Sequence, residues 1–228
     1  TSAIISQFDE VTGQVQDLKG VKVLVTAGGT REAIDPVRFI GNRSSGKQGV
    51  ALAKAARDRG AQVQLIAANC DVANLKGIEI VEVETTSQMQ TALQKHFDQC
   101  DILIMSAAVA DARPSHVAQE KIKKASLSNI ELEANPDLLA EISARKSTQI
   151  LVGFAAETKD HLQEARRKLE AKGLDVIYVN DVSGGAIFGQ DTTMGTILIR
   201  NEADIAVKEV SKDALSNTLL DQAIRQLG

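Results

Sequence analysis

The stretch VLVTAGGTREAIDPVRFIGNRSSGKQG, residues 23–49, decides the fold of this chain because it runs from a buried strand to the start of a helix. Its apolar, β-branched beginning extends back to VKVLVT at 21–26, which is typical of a parallel strand buried on both faces. The residues that follow predict a helix over 46–59, with Ser44 or Ser45 as its N-cap. A strand, a long polar loop and a helix in this order indicate the first unit of an α/β fold.

The helix start, GNRSSGKQG at 41–49, differs from a Walker A phosphate loop by one residue. Gln48 stands where that motif needs a hydroxyl, and about fifteen residues separate strand from helix where a Walker A loop joins them directly. The GxGxxG dinucleotide fingerprint is also absent. Hydroxyls, free amides and the helix dipole still favour an anion, although plain N-capping is the simpler explanation of Ser-Ser-Gly alone. The long loop and its polar residues favour ligand binding: Arg31, Asp35, Arg38, Asn42 and Arg43.

Strands and helices alternate through the rest of the chain. Further strands are predicted at 62–68, 81–84, 101–107, 129–133, 149–156 and 174–180. Helices are predicted from Ser87, with Gln90 as capping-box partner, from Asn135-Pro136-Asp137, over 159–172 and over about the last 17 residues. Two short β-like runs within 184–200 suggest a hairpin. The sequence therefore predicts an α/β fold: a Rossmann-like doubly wound, mostly parallel sheet with helices on both faces and a C-terminal β-hairpin.

Composition argues against several classes of function. The chain has 228 residues, a net charge of −4 and intermixed acidic and basic residues, so it suits one compact domain and lacks the basic field that a nucleic acid needs. Its two cysteines form no disulfide framework, which favours a reducing cytoplasm. Its three histidines are too scattered for a zinc site. No apolar run reaches membrane-spanning length. Residues 1–20 read as a linker or N-terminal arm, before a domain over 21–228.

Candidate binding residues follow the strands of the predicted sheet, where ligands of such folds bind. Gly28, after the first strand, permits a tight turn with exposed backbone amides. Ala107 and Ala108, after the strand at 101–107, allow a flat group to approach closely. Asp111 can accept hydrogen bonds or face a metal ion. These residues favour a ligand at the carboxyl ends of the strands.

Lysines and one aromatic residue add to this set. Three of the lysines form a cationic cluster: Lys121, Lys123 and Lys124. The cluster suits a polyphosphate, and a solvated charge run is an equal alternative for the last two. Lys168 and Lys172 lie four residues apart and share one helix face, which is usually a solvent face. Phe154 is either a core residue or a platform for a base.

Five segments in this order and spacing closely resemble the bacterial phosphopantothenoylcysteine synthetases, or phosphopantothenate–cysteine ligases, of coenzyme A biosynthesis. They are VLVTAGGTREAIDPVRFIGNRSSGKQG, SAAVADARP, KIKK, NPDLLAEI and VGFAAET, and the resemblance covers residues 19–228. It implies that the carboxylate of 4′-phosphopantothenate attacks the α-phosphate of CTP, with Mg²⁺, and gives an acyl-cytidylate and pyrophosphate. The amine of L-cysteine then attacks the acyl carbon and releases CMP.

The resemblance also implies roles for individual residues. Asn42 would hold the acyl-cytidylate and assist the second step, while Arg38 would support binding and cysteine capture nearby. Lys121 would meet the triphosphate and stabilise the first transition state. The other residues that would bind CTP are Gly28, Ser44, Ser45, Gly46, Ala107, Ala108, Asp111, Pro136, Asp137, Leu138, Leu139, Phe154, Lys168 and Lys172. The Mg²⁺ ligands stay unassigned.

Members of this family are dimers with the acyl substrate near the subunit boundary. The resemblance therefore implies a homodimer whose partners are 4′-phosphopantothenate, CTP and L-cysteine, with no nucleic acid and no membrane. In many bacteria the unit is the C-terminal half of a multifunctional enzyme, and FMN serves only the decarboxylase in the N-terminal half. Residues 1–20 then correspond to the connecting linker, and an excised domain and a free-standing enzyme both fit.

Two other functions are compatible with the predicted fold. A nicotinamide-dependent reductase or epimerase would need a fingerprint turn and usually a Tyr-Lys pair, but Tyr178, the only tyrosine, lies within a predicted strand. A nucleotide-binding module without catalysis is the third interpretation. Small departures from the family pattern, such as Gln48 at a position that is often Met, remove no group that the ligase reaction needs.

Overall fold

A computed structural model describes residues 15–123, 129–157, 161–181 and 190–227 of the chain. The strands are β1 (Lys22–Gly28), β2 (Arg31–Ala33), β3 (Phe39–Gly41), β4 (Gln62–Ala68), β5 (Ile78–Val83), β6 (Ile102–Met105), β7 (Ala112–Pro114), β8 (Leu132–Ala134), β9 (Ile150–Glu157), β10 (Val176–Asp181), β11 (Thr192–Ile199) and β12 (Ile205–Ser211). The helices are α1 (Lys47–Asp58), α2 (Thr86–His96), α3 (Leu138–Ser143), α4 (His161–Ala171) and α5 (Lys212–Leu227), and Phe97–Gln99 form a 3₁₀ turn. No helix in these described ranges is both long and apolar enough to cross a bilayer.

Eight of the strands form one sheet in the order β12-β11-β10-β9-β6-β1-β4-β5. The six strands from β10 to β5 in that order are parallel, and β11 and β12 are antiparallel. From β1, the chain first builds outward through β4 and β5 and then returns to place β6 on the other side of β1. The switch point of this doubly wound sheet therefore lies between β1 and β6, where ligands of such folds bind. The predicted fold class is confirmed.

The core lies on both faces of the sheet, because neighbouring residues of β1 point in opposite directions. Val25 packs with Leu52 of α1 and Leu219 of α5, and all three are fully buried. Leu24 packs on the other face, against residues of α2, α3 and α4. Each fully buried aliphatic side chain of this kind contributes about 1.5–3 kcal/mol relative to exposure. The two packed layers make the sheet a rigid support for the loops at its carboxyl edge.

The last residues of the predicted arm are packed against the domain. Leu18 is fully buried, and its backbone amide donates to the carbonyl of Arg59 at 3.0 Å. The guanidinium of Arg59 in turn lies 2.5 Å from the carboxylate of Asp17. Residues 1–14 lie outside the described part of the chain, so the domain boundary at residue 20 stays a prediction.

The predicted N-cap of α1 is wrong, since Gly46 occupies that position with φ of 73° instead of Ser44 or Ser45. The Ser44 hydroxyl accepts from the Gly46 amide at 3.4 Å within the loop, so it caps no helical amide. Gly46 is required here because a Cβ atom would lie 2.4 Å from the Cβ of Cys70. The approach of the helix start to the neighbouring loop thus overrides the serine preference at the cap.

Two other predicted helix starts are shifted by two residues. The capping box of α2 joins Thr85 and Gln88, not Ser87 and Gln90, because the backbone is still extended at Thr85, two residues after β5 ends. The N-cap of α3 is Asp137, whose Oδ1 accepts from the Ala140 amide at 3.1 Å. Asn135 is not the cap, since its side chain is engaged in contacts across the site, described below.

The C-terminal hairpin is formed by β11 and β12, and it lies further along the chain than 184–200. The turn comes at 200–204, where Asn201 adopts φ of 60°. Residues 184–189 of the predicted hairpin lie outside the described residues. The charges of Lys208 and Glu209 obscured β12 because they interrupt its apolar alternation.

Candidate functional site

Two adjoining cavities open at the carboxyl edge of the sheet, at the switch point. The α1 cavity has a volume of about 430 Å³ and is lined by Asn42, Arg43, Ser44, Ser45, Gly46, Lys47, Gln48, Gly49, Ser106, Ala107, Ala108, Phe154, Ala155, Tyr178, Asn180, Thr193 and Lys212. The α3 cavity has a volume of about 300 Å³ and is lined by Met105, Ala107, Val109, Ala110, Asp111, Asn135, Pro136, Asp137, Leu138, Leu139, Phe154 and Lys172. Ala107 and Phe154 line both cavities, so one elongated ligand can span them.

Glycines let the backbone close tightly around the α1 cavity. Gly28 ends β1 with φ of 85°, and a Cβ atom there would lie 1.9 Å from the carbonyl oxygen of Ala68. Gly49 brings the first turn of α1 onto β1, since a Cβ atom would lie 2.5 Å from the Cβ of Ala27. The start of α1 therefore sits directly above the end of β1, with the backbone amides of its first turn at the cavity wall. Backbone amides at a helix start favour an anionic ligand in this cavity.

Two lysines add positive charge at the rim of the α1 cavity. The Nζ of Lys47 lies 2.7 Å from the carboxylate of Asp191, and Lys212 donates to the carbonyl of Gln190. Burial, followed by the charge of Lys47, lowers the pKa of Lys212. Two like charges held close together with one exposed carboxylate make this rim attractive for a second anion.

The turn after β6 is fixed by hydrogen bonds to β1 and the loop that follows it. The Ala107 amide donates to the Thr26 hydroxyl at 3.1 Å, and the Ala108 amide donates to the Gly28 carbonyl at 2.9 Å. The Ala110 amide donates to the hydroxyl of the buried Thr30 at 2.8 Å. The small side chains of this turn thus form a flat, rigid wall shared by the two cavities.

A buried polar network supports that wall from below. The Glu32 carboxylate accepts from both the amide and the hydroxyl of Thr86, at 2.8 and 2.7 Å. The Thr86 hydroxyl lies 3.2 Å from that of Thr30, and the Asn135 amide donates to it at 3.2 Å. Asn135 also donates to the Ala110 carbonyl at 2.9 Å. Because every member has a partner, the network fixes the backbone at the α3 cavity.

An ion pair crosses the α3 cavity. The Nζ of Lys172, at the end of α4, lies 2.9 Å from Oδ2 of Asp137 at the start of α3. Burial raises the pKa of Asp137, but the hydrogen bonds from Lys172 and the Ala140 amide outweigh burial and leave this pKa below its usual value. Asp137 therefore stays ionised at neutral pH and holds the lysine beside the cavity.

Phe154 is a half-buried ring between the cavities, which favours a platform over a pure core role. Its ring meets the ring of Tyr178 edge to face, with centroids 5.7 Å apart. The Tyr178 hydroxyl lies 2.8 Å from the hydroxyl of Thr193, which donates to Asn180 at 3.2 Å. Burial raises the pKa of Tyr178. This tyrosine is a neutral wall of the α1 cavity, and no Tyr-Lys pair of the reductase type is formed by it in the described residues.

Asn42 contacts the turn after β6, which forms the wall between the two cavities. It follows β3 directly, and its amide group donates to the Val109 carbonyl at 3.0 Å. The side chain is exposed and lines the α1 cavity. The Val109 carbonyl is its one side-chain partner within the described residues, and Asn42 can exchange this partner for a ligand oxygen.

The structure thus brings most of the predicted site residues to the cavities. Gly28 lies beneath the α1 cavity instead of lining it. Arg38, Lys121 and Lys168 line neither cavity, and Lys124 lies outside the described residues. The guanidinium of Arg38 binds the Asp35 carboxylate and the Ile122 carbonyl. Further site residues that the sequence reasoning missed are Thr30, Glu32, Lys47, Thr86, Ser106, Asn135, Tyr178, Asn180, Thr193 and Lys212.

The carboxylates at the site fit a metal ion only together with a ligand. Within the described ranges, no cluster of three or more His, Cys, Asp or Glu side chains could hold a metal ion. Asp111 is an exposed carboxylate on the α3 cavity, while Asp137 is paired with Lys172. A Mg²⁺ ion commonly uses one or two carboxylates plus substrate phosphates. Asp111 fits that arrangement.

Comparisons with known proteins agree with this geometry. Residues 18–227 match the family described as "DNA/pantothenate metabolism flavoprotein C-terminal domain". The chain is 45% identical over 218 residues to the coenzyme A biosynthesis bifunctional protein CoaBC of Mycolicibacterium smegmatis, a match that covers 90% of this chain and 53% of that protein. It is 44% identical to the CoaBC protein of Bacillus subtilis, covering 90% of this chain and 51% of that one. The chain therefore spans about half the length of these curated relatives.

Solved structures support the same relationship. The crystal structure of the C-terminal domain of a CoaBC protein superposes with a TM-score of 0.81 at 34% identity, covering 93% of this chain and 98% of that domain. A Cab2 variant in complex with phosphopantothenate-cysteine superposes with a TM-score of 0.73 at 15% identity, covering 93% and 88% of the two chains. At that identity the second similarity shows the shared fold alone.

Proposed function

Because the chain belongs to the family of the DNA/pantothenate metabolism flavoprotein C-terminal domain, we propose that it is the phosphopantothenate–cysteine ligase of coenzyme A biosynthesis. The relatives named above are coenzyme A biosynthesis enzymes, and a protein of the same fold has been seen with phosphopantothenate-cysteine. The observation that carries the proposal is the pair of cavities that meet at Ala107 and Phe154. They combine amide donors and cations, and no cysteine or histidine is among the described residues that line them, which suits a reaction between bound substrates.

In the first step, a carboxylate oxygen of 4′-phosphopantothenate attacks the α-phosphorus of CTP. The new P–O bond gives an acyl-cytidylate, and the bond to the β-phosphate breaks as pyrophosphate leaves. The protein contributes positioning and charge neutralisation, because both partners are anions that repel each other in water. Lys121 meets the triphosphate and stabilises the charge that develops on the leaving pyrophosphate.

In the second step, the free amine of L-cysteine attacks the acyl carbon. The bond between that carbon and the phosphate oxygen breaks, so CMP leaves with both electrons and the amine loses a proton to solvent. Asn42 donates to the acyl oxygen as negative charge develops there, exchanging its Val109 carbonyl partner for the intermediate. No covalent bond to the protein forms in either step.

The two cavities divide the nucleotide between them in this proposal. The cytidine part lies in the α3 cavity, with its base on Phe154 and its sugar near Asp111 and the Pro136–Leu139 turn. The phosphates pass Ala107 and Ala108 and enter the α1 cavity, where Ser44, Ser45 and Gly46 offer amides and hydroxyls. Lys172 and Lys168 supply positive charge from α4. Preference for CTP over ATP depends on contacts to the base within the α3 cavity.

Mg²⁺ is the metal cofactor in this proposal. Asp111 is the carboxylate that would hold it, and the bound ion would neutralise part of the triphosphate charge. FMN belongs to a different part of the bifunctional relatives, whose family description names a flavoprotein. We assign no flavin to the cavities described above.

The enzyme acts as a homodimer in the cytoplasm in this proposal. The described residues include exposed apolar side chains on or beside the two small sheets: Val37, Phe39, Val117 and Leu132. Such side chains suit a subunit boundary close to Asn42. A reducing compartment suits Cys70 and Cys100, both of which are free thiols. Size-exclusion chromatography with light scattering tests the dimer.

Pyrophosphate release tests the function. We expect release only when CTP, Mg²⁺ and 4′-phosphopantothenate are all present, and we expect it to begin without L-cysteine. Addition of L-cysteine should then give CMP and 4′-phosphopantothenoylcysteine. Release without the acyl substrate would refute the ligase, and binding of CTP with no release would favour a nucleotide-binding module. Nicotinamide oxidation or reduction would favour the reductase.

A further inference from the structure

Asp35 is a fully buried carboxylate that joins two separate segments of the chain. Its Oδ1 atom accepts from the amides of Val37 and Arg38, both at 2.9 Å, and so closes the loop between β2 and β3. Its Oδ2 atom accepts from Nε of Arg38 at 2.9 Å and from the amide of Ile122 at 3.1 Å. One oxygen therefore shapes the loop and the other binds a distant segment.

Two more hydrogen bonds attach the same segment. Arg38 donates from Nη2 to the Ile122 carbonyl at 2.9 Å, so both backbone groups of Ile122 are bound. The Ala118 amide donates to the Ile34 carbonyl at 3.0 Å. Residues 118–122 are thus fixed to the tip of the β2–β3 hairpin by one backbone hydrogen bond and two charge-assisted bonds, which are the stronger kind.

The hairpin connects this attachment to the site. β2 and β3 pair from Arg31 with Gly41 to Ala33 with Phe39, and Asn42 follows at the base. The tip, with Asp35, lies about 10 Å from the base at a strand rise of 3.3 Å per residue. Lys121 directly precedes Ile122. Among the hydrogen bonds of the described residues, those of Ile122 are the ones that fix the backbone next to Lys121. The hairpin therefore holds Asn42 at one end and the Lys121 segment at the other.

We propose that Asp35 is a positioning residue: with Arg38 it fixes the point from which Lys121 extends toward the triphosphate. This inference rests on the proposed function, because it assigns Asp35 an effect on the first step through Lys121. We call the hydrogen bonds among Asp35, Arg38 and Ile122 the clamp, and Arg38 takes part in it by binding both of the other residues. A role in the capture of L-cysteine would instead confine the effect to the second step.

The variant Asp35→Asn distinguishes the roles of the two carboxylate oxygens. Its carbonyl oxygen can still accept from Val37 and Arg38 and keep the loop, but its NH₂ group faces the Arg38 and Ile122 donors. We expect pyrophosphate release without L-cysteine to slow about tenfold, the size of effect given by 1.4 kcal/mol of lost interaction. In a double-mutant cycle with Lys121→Gln, the double variant should be no slower than Lys121→Gln alone. Additive losses, or a loss confined to the second step, would overturn the proposal.

Asp175→Asn is the matched control, because Asp175 is a buried carboxylate that binds Lys146 and the Leu151 amide, away from both cavities. It should lower the melting temperature and leave the rate of pyrophosphate release within about twofold, as expected for a distant site. If Asp35→Asn does not fold, the same cycle is run with Arg38→Lys. This variant lacks the guanidinium Nη2 that donates to the Ile122 carbonyl. Additive losses there would equally overturn the proposal.

Limited trypsin digestion tests the clamp without the reaction. Cleavage after Lys121 and Lys123 should be faster in Asp35→Asn than in the wild type and unchanged in Asp175→Asn, each digested below its melting temperature. Equal cleavage in all three proteins would overturn the clamp. If the wild type releases no pyrophosphate while cleavage follows this expectation, the proposed function fails and the attachment of the segment stands.

Discussion

Lys172 and Asp137 join two helices across the α3 cavity, with the Nζ of Lys172 2.9 Å from Oδ2 and 3.2 Å from Oδ1 of Asp137. The aspartate is also the N-cap of α3, so its position is fixed by the helix itself. The lysine is therefore held at the cavity before any ligand arrives. A cation placed in advance loses little entropy when a nucleotide binds.

Replacement of Lys172 by Ala should weaken CTP binding. The KM for CTP is expected to rise about tenfold, because one charge-assisted contact to the nucleotide is worth about 1.4 kcal/mol. Lys168→Ala should give a smaller rise, since Lys168 does not line the cavity. Lys95→Ala, at an exposed residue of α2, is the control and should leave KM unchanged. Equal effects of all three variants would contradict the assignment of Lys172 to the site.

Gly46→Ala should damage both folding and phosphate binding. A Cβ atom at Gly46 would lie 2.4 Å from the Cβ of Cys70 at a backbone φ of 73°, so either the helix start or the neighbouring loop must move. Gly20→Ala is the control, since Gly20 also has a positive φ, 87°, but nothing lies within 4 Å of its Cβ position. We expect the control to cost about 1 kcal/mol in urea unfolding and Gly46→Ala to cost more. CTP affinity, measured by calorimetry, should fall only in Gly46→Ala.

Asn42→Asp should leave the fold intact and block the transfer to L-cysteine. The side chain is exposed and, in the part of the chain that the structure describes, makes one hydrogen bond, to the Val109 carbonyl, so little stability depends on it. A carboxylate there would repel the developing charge on the acyl oxygen instead of stabilising it. Mass spectrometry of the quenched reaction should show the acyl-cytidylate accumulating. Normal formation of the amide product would remove Asn42 from this role.

The stability difference between the wild type and Asp35→Asn should depend on pH. Hydrogen bonds from Arg38 hold the pKa of Asp35 well below its usual range in the folded protein. A lowered folded pKa stabilises the protein fully above the unfolded value, about 3.9, and this stabilisation is lost as pH falls toward the folded pKa. The gap in melting temperature should therefore be widest near pH 7 and shrink below about pH 4. A gap that stays constant or widens in acid would contradict the charge-based role of Asp35.

The sequence predicted the sheet well because parallel strands carry a local signal. The strand predicted at 62–68 matches Gln62–Ala68, and the apolar run before Gly28 gave β1, since strands buried on both faces must be continuously apolar. Helix starts were less well predicted. Near Gly46 and Asp137, several adjacent residues are suitable caps, and packing against Cys70 or across the site decided between them.

The supports of the site could not be predicted from local patterns. Thr30, Glu32 and Thr86 meet only because the sheet brings together segments more than fifty residues apart. Lys212 reaches the α1 cavity from the start of the last helix, where an isolated lysine has no distinguishing context. Asn180 could have been predicted as a site residue. It is a polar residue near the carboxyl end of β10, where ligands of such sheets bind.

Transfer of an oxygen isotope tests the central claim, activation of a carboxylate by attack on the α-phosphate of CTP, most directly. 4′-Phosphopantothenate labelled with ¹⁸O in its carboxylate would be incubated with CTP, Mg²⁺, L-cysteine and the protein. The acyl-cytidylate route predicts that CMP carries one labelled oxygen, because the bridging oxygen leaves with the phosphate when the amine attacks the acyl carbon. Formation of the amide product with unlabelled CMP, or with the label in pyrophosphate or phosphate, would contradict the claim.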